Sequence, residues 1–399
     1  MQPATTYPAL TRRGLILHDA LAFLALLATS VALFGVTLFL FRSFEQHRAD
    51  LAVRWAERGR IALQQGKPDA AVTALRTALS YAPDERANQL LLAQALAKAG
   101  HTEEATNYFL NLWDARPGDG FINLQLARLA RQKGDYREAT DDYRASIFGS
   151  WEGDGVVRRR EVRLELSDFL IQQHLNAEAR NELFTVAGNA PNNPDLNLTV
   201  ALKLEAAGYL PDAFTFLQKA VAADPHNRAI LEQAGQAAYT LGDYPTADHL
   251  LHRALDEPPY SGETIARQQQ FTSLAGDAKR IQELSLALDQ PATARAAHIL
   301  TAAKIAQARL RTCLVSPGTA PHNDPLLDDL NARWTTAQSG TNATRRALLD
   351  NADAQNTWTQ LIYLTERNTA QVCGVPAGDD ALLLQLANTA EKGQGTNGK

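Results

Sequence analysis

Cysteine is nearly absent, with two residues in a chain of 399. That excludes a cysteine-rich zinc framework and a disulfide-dense small domain, and leaves room for a single bridge. Excess charge is also missing. Thirty-nine basic and forty-four acidic residues give a formal charge of −5, whereas a dedicated nucleic-acid binder carries a basic surplus. Neither the low apolar content of a disordered chain nor a collagen-like composition is present, since 45% of the residues are hydrophobic. There is no nucleophile elbow, no HExxH pair and no paired CxxC, so no catalytic motif, metal site or cofactor is expected. The string Gly393–Lys399 has the glycines and lysine of a phosphate loop but not the following Ser or Thr and helix. His249 and His252 lie one helical turn apart beside Asp248, without a convincing third ligand.

What is present begins with one apolar run. Ala20–Phe41 holds 22 residues without a charge. As a helix it extends about 33 Å, enough for a hydrocarbon core of about 30 Å. A cleaved signal peptide has a shorter apolar region and a small-x-small site after it. Here Phe41-Arg42-Ser43-Phe44 follows, so an uncleaved single-pass anchor over 20–41 is expected, with a short tail at 1–19 and a juxtamembrane linker at 42–50. The unopposed pair Arg12 and Arg13 fits an N-inside anchor with the large domain extracytoplasmic, in the periplasm of a bacterial-type envelope. The basic residues after the span leave the cytoplasmic orientation open.

The second feature is a period. Glycines fall at Gly66, Gly100, Gly134, Gly208 and Gly242, with steps of 34, 34, 74 and 34. Prolines follow 17 positions later at Pro83, Pro117, Pro225 and Pro259, and Pro191 stands 17 after His174, which takes the glycine slot of a displaced unit. Ala71, Ala105, Ala139, Ala179, Ala213 and Ala247 recur five positions after each slot. Leu75, Phe109, Tyr143, Leu183, Leu217 and Leu251 recur four positions further on. The pattern describes a helix ended by glycine, then a second helix packed closely through its alanine and ended by proline. One such pair cannot bury its apolar face; a stack can.

This pattern resembles the tetratricopeptide repeat family. Trp55, Gly59, Gly66, Ala71, Leu75, Ala78 and Pro83 occupy the family's characteristic slots in order. Six units cover 51–259. In the third, Trp151 replaces the proline, and an insertion near 149–156 delays the next unit. Gly276, 34 after Gly242, hints at a degenerate seventh pair. The resemblance implies an all-α fold over 51–259, a right-handed superhelical solenoid after the single transmembrane helix. The segment beyond resembles no recognised family; its own pattern stays helical and reads as a cap over 260–392 with a disordered tail at 393–399. Helices are expected at 292–315, 326–337, 356–373 and 381–390. A bridge between Cys313 and Cys373 is expected if the domain is exported, whereas in the cytoplasm both would be buried thiols.

The family register also implies a concave groove. Its candidate lining is Arg60, Gln94, Lys98, Phe121, Leu124, Arg128 and Arg131, with Glu161, Asp168, Asp195, Glu205 and Glu232 further along. The expected field is basic near the anchor and acidic beyond, against the plainer reading of simple solvated faces. The asparagines of the family's chaperone-tail clamp are not matched. The function implied is a membrane-anchored scaffold that binds proteins or peptides, in envelope assembly or quality control. Two other readings stay open: an enzyme with a site around Trp334 and Trp358 in the C-terminal helices, and self-association through the anchor and cap.

Overall fold

The computed structural model describes residues 12–188, 192–288, 290–315, 324–339, 345–349 and 351–396. Among them the chain is helical throughout, with one isolated bridge between Asp119 and Ser150 as its only extended pairing. It divides into two compact units, Met1–Leu166 and Ser167–Lys399. The prolines at 191 and 317 lie outside the described residues.

Unit 1 opens with α1 (Arg12–Gln64), a single helix of 53 residues. The linker expected at 42–50 does not exist as a separate element. Between Gly35 and Gly59 no glycine or proline interrupts the backbone, so the apolar span runs without a break into the first repeat. The span's side chains, Leu21 to Phe41 among them, are exposed, and no other part of the unit covers them. The helix pairs with α2 (Pro68–Tyr81). Then come α3 (Arg86–Lys98) with α4 (Thr102–Ala115), α5 (Gly120–Lys133) with α6 (Tyr136–Phe148), and α7 (Gly155–Gln172), within which the division falls. The repeat slots behave as the period predicts. Ala71, Leu75, Ala105, Phe109, Ala139 and Tyr143 are fully buried, and burying a leucine or aromatic side chain contributes about 1.5–3 kcal/mol.

Unit 2 contains α8 (Asn176–Gly188), α9 (Pro194–Ala206), α10 (Leu210–Ala223), α11 (Arg228–Leu241) and α12 (Tyr244–Asp256). Helix starts are fixed by Asn193, Asn227 and Asp243, whose side-chain oxygens accept from backbone N–H groups of the first turn. Ala179, Leu183, Ala213, Leu217, Ala247 and Leu251 are again buried. His174 has φ 59, alone among the non-glycine residues described, and so adopts the left-handed conformation that glycine takes in the other repeats, such as Gly242 at φ 84. The histidine fills a glycine slot at a steric cost.

After α12 the 34-residue period ends. Helix α13 (Ile265–Leu284) passes straight through Gly276, so that glycine does not close a seventh first helix. It is followed by α14 (Ala292–Leu314), α15 (Pro325–Ser339), α16 (Arg345–Leu349), α17 (Ala352–Cys373) and α18 (Asp379–Thr396). The last helix continues four residues into the stretch expected to be disordered from Gly393. These helices share a core in which Trp334 and Trp358 meet edge to face with ring centres 5.7 Å apart. Trp334 Nε1 donates to Thr365 Oγ1 at 2.9 Å. The two tryptophans on which an enzyme reading leaned are therefore packing residues. Cys313 and Cys373, at the ends of α14 and α17, are joined by a disulfide with Cα atoms 5.9 Å apart.

Candidate peptide-binding groove

The first helices of successive pairs in unit 1 turn one stripe each toward a common groove. On α3 the stripe is Arg86, Leu90 and Gln94, at i, i+4 spacing. On α5 it is Phe121, Leu124 and Arg128, and on α7 it is Arg158, Glu161, Val162 and Glu165. Together they enclose about 580 Å³ with an apolar floor and a polar rim. The stripe pattern follows from the fold: one face of each first helix packs on its partner, and the opposite face is left open.

The inserted loop forms one wall of this groove. Ser150 N donates to Gly118 O at 2.7 Å, and Gly120 N donates to Ser150 O at 2.8 Å. Trp151 Nε1 donates to Ser146 O at 3.0 Å. The indole lies over Gly120, where a Cβ would come within 2.4 Å of the ring nitrogen. A Cβ at Gly149 would likewise meet the Gly120 backbone at 2.7 Å. Two missing side chains thus let the loop seat against the start of α5 and present Trp151, Ser150 and Glu152 to the groove. The tryptophan in the proline slot marked an insertion in the sequence; its return to a glycine 31 positions earlier did not show there.

Four of the seven sequence-derived lining residues come together here: Gln94, Phe121, Leu124 and Arg128. Lys98 is exposed one turn beyond Gln94 on the same stripe. Arg60 belongs elsewhere in the unit. It holds Glu57 through two bonds of 2.8 and 2.6 Å and borders a separate hollow of about 460 Å³ with Ala52, Val53 and Leu91. Arg131 faces the Tyr143 hydroxyl and the Glu165 carboxylate behind the groove. Sequence reasoning missed Arg86, Leu90, Arg116, Trp151 and Glu165, all lining residues. The 34-residue phase relates Leu90 to Leu124 and was a usable signal for that one.

The charges expected to form a graded field are largely neutralised in pairs. Arg128 grips Glu165 with Nε and Nη2 at 2.9 and 2.7 Å. The buried Tyr143 hydroxyl donates to the same carboxylate at 2.8 Å. Burial pushes the Glu165 carboxyl up, but the bonds from Arg128 and Tyr143 outweigh it and hold the group below its ordinary value. Burial also drives the Tyr143 phenol upward, with the neighbouring Glu165 charge adding to it. In unit 2, Asp168 pairs with Lys203. Glu232 is fully buried between Arg228 and Arg267, with bonds of 3.1 and 3.0 Å. It is an internal brace rather than a groove acid. His252 sits on Asp248, which accepts from Gln282 as well.

Family models described as tetratricopeptide repeat match residues 62–119 and 124–194. No curated protein matches the chain. Among solved structures, one titled as the functional characterisation of Pseudomonas aeruginosa pilF is 18% identical, covering 57% of this chain and 99% of that one at a TM-score of 0.38. PilW, titled a widely conserved type IV pilus biogenesis factor, is 15% identical over 55% and 97% at 0.38. YrrB, titled a TPR protein with an unusual peptide-binding site, is 16% identical over 52% and 98% at 0.36. At these scores the likeness bears on neither function nor partner. The matched segments, 62–119 and 124–194, show that this chain carries tetratricopeptide repeats, and the buried alanine and large-residue slots recur beyond them as far as Ala247 and Leu251.

Proposed function

We propose that the protein is a single-pass, membrane-anchored scaffold that holds a polypeptide partner in the groove between α3, α5 and α7. The groove itself carries this reading: about 580 Å³, an apolar floor of Leu90, Phe121 and Leu124, and a rim of arginines and carboxylates. Such a surface suits an extended segment anchored by one or two apolar side chains. The anchor rests on the N-terminal part of α1, where the uncharged span 20–41 is long enough to cross a membrane and its apolar side chains are covered by no other part of unit 1. The disulfide favours export of the large domain, because such bridges persist in oxidising compartments. A role in envelope assembly or quality control follows as the setting for a tethered, exported binding module.

Site-specific photo-crosslinking in intact cells tests the reading. A crosslinker at Phe121, inside the groove, should give adducts with a polypeptide. The same group at Asn107, exposed on α4, should not. Equal adducts at both positions, or none at Phe121, would contradict a groove-held partner.

A further inference from the structure

The last helix of unit 2 is joined to α17 by a connection that can pivot. It runs Gly374-Val375-Pro376-Ala377-Gly378, with both glycines in the left-handed region at φ 85 and φ 62. From there α18 packs on α17, α14 and α13 and reaches the last repeat. Asp379 accepts from Arg280 of α13 through two bonds of 3.0 and 2.7 Å. Gln385 accepts from the Tyr239 hydroxyl of α11 at 3.1 Å and donates to the Tyr244 hydroxyl of α12 at 3.2 Å. Leu383 and Ala387 are fully buried. Against these satisfied contacts stands one defect. Glu366 of α17 is fully buried, and Asp380 of α18 is within electrostatic reach of it. Both oxygens of Glu366 and Oδ1 of Asp380 are buried with no hydrogen-bond partner among the described residues. Arg309 of α14 acts on both carboxylates without bonding to either. Its Nη2 donates to Gly374 O at 2.7 Å, and its buried Nε has no partner among the described residues. The other helices packed on α17 bring Trp334 from α15 and Leu348 from α16 to the core, which are uncharged.

We propose that α18 is a proton-operated latch: it stays docked while Glu366 holds a proton, and it swings out about the Gly374–Gly378 connection when Glu366 and Asp380 are both charged, uncovering Tyr239 and Tyr244 at the end of the last repeat. Two carboxylates in one apolar seam cannot both ionise without a large desolvation and repulsion cost. Release of α18 separates them and returns both to water. Burial, with Asp380 adding to it and Arg309 opposing it, pushes the Glu366 carboxyl up to about 8. The docked helix therefore keeps a proton that the released helix gives up. Docking is complete below the ordinary carboxylate range and is lost as pH rises through about 8, release gaining up to about tenfold per pH unit between. The bond from Arg280 holds the Asp379 carboxyl below its ordinary value, so that contact does not weaken across this range. The latch stands independently of what the groove in unit 1 holds.

Hydrogen exchange on the full chain in detergent micelles, corrected for the intrinsic rate at each pH, reads the latch. Between pH 6 and pH 8 the protection of α18 should fall by about tenfold or more, while α8–α10 keep theirs. Glu366→Gln cannot ionise and should hold α18 protected across the whole range. Asp380→Asn removes the opposing charge and should move the loss to higher pH; it carries the test if Glu366→Gln does not fold. Asp379→Asn removes the Arg280 bond but not the titrating group. It should lower the protection of α18 at every pH and leave the pH slope as it was. A loss that persists unchanged in Glu366→Gln or in Asp380→Asn would overturn the proposal. So would a loss of equal size in α8–α10, which would mark unfolding of the whole unit rather than release of one helix.

Discussion

The indole of Trp151 occupies the space that a side chain on Gly120 would need. A methyl group there would lie 2.4 Å from Nε1. One residue in the inserted loop and one at the start of α5 therefore fix a groove wall between them. Gly120→Ala should unseat the loop at a cost of about 1–3 kcal/mol, the range for overpacking a filled site. Thermal melts and protease sensitivity at 149–155 would register it. An unchanged melt with an intact loop would show that the contact is not the constraint described here.

His174 offers the opposite test, a gain. It adopts φ 59 where the repeats elsewhere place glycine. A left-handed conformation costs an L-residue about 1–2 kcal/mol, so His174→Gly should stabilise unit 2 by about 1 kcal/mol, the glycine's greater unfolded-state freedom offsetting part of the relief. Urea titration measures this, and a destabilised variant would mean that the imidazole makes a contact worth more than the strain.

Glu366 predicts a pH dependence. It is fully buried on α17, and neither carboxylate oxygen has a hydrogen-bond partner among the described residues. Burial, reinforced by Asp380 and opposed by Arg309, pushes its carboxyl up to about 8. The folded state then holds the proton more tightly than the unfolded chain. Its contribution to stability is complete below the ordinary carboxylate range and is lost as pH rises toward 8. Melting temperature should fall between pH 5 and pH 9, and Glu366→Gln should flatten that fall. Equal slopes for the two proteins would refute the assignment.

The Cys313–Cys373 bridge closes a separation of 60 residues. Chain entropy gives it about 4 kcal/mol. Reduction should raise hydrogen exchange across α14–α17 and leave α1–α6 unchanged. If exchange in α14–α17 is indifferent to reductant, the bridge does not brace the cap.

The repeats were legible because six units repeat one phase, and each alanine and each large residue four positions on lies buried where that phase puts it. The groove was legible only in part. Helical register places Phe121 and Leu124 on one face, but the partner of Arg128 comes from Glu165, 37 residues away on a later helix. Nothing local to Arg128 announces that its charge is already answered. The docking of Trp151 was hidden for the same reason, since it depends on an absent side chain at Gly120. The boundary expected at 42–50 was drawn from a rise in charge, and charge does not end a helix. The failure at Gly276 is complementary: a glycine in phase stays within a helix when the chain around it is rich in helix formers.

The account depends most on α1 lying in lipid while its continuation carries the repeats. Alkaline carbonate extraction of cell membranes containing the full chain tests this directly. The protein should stay in the pellet, and a variant with Leu27→Arg, Val31→Arg and Phe34→Arg in the span should move to the supernatant with its repeats still folded. Release of the unaltered chain into the supernatant would contradict the account.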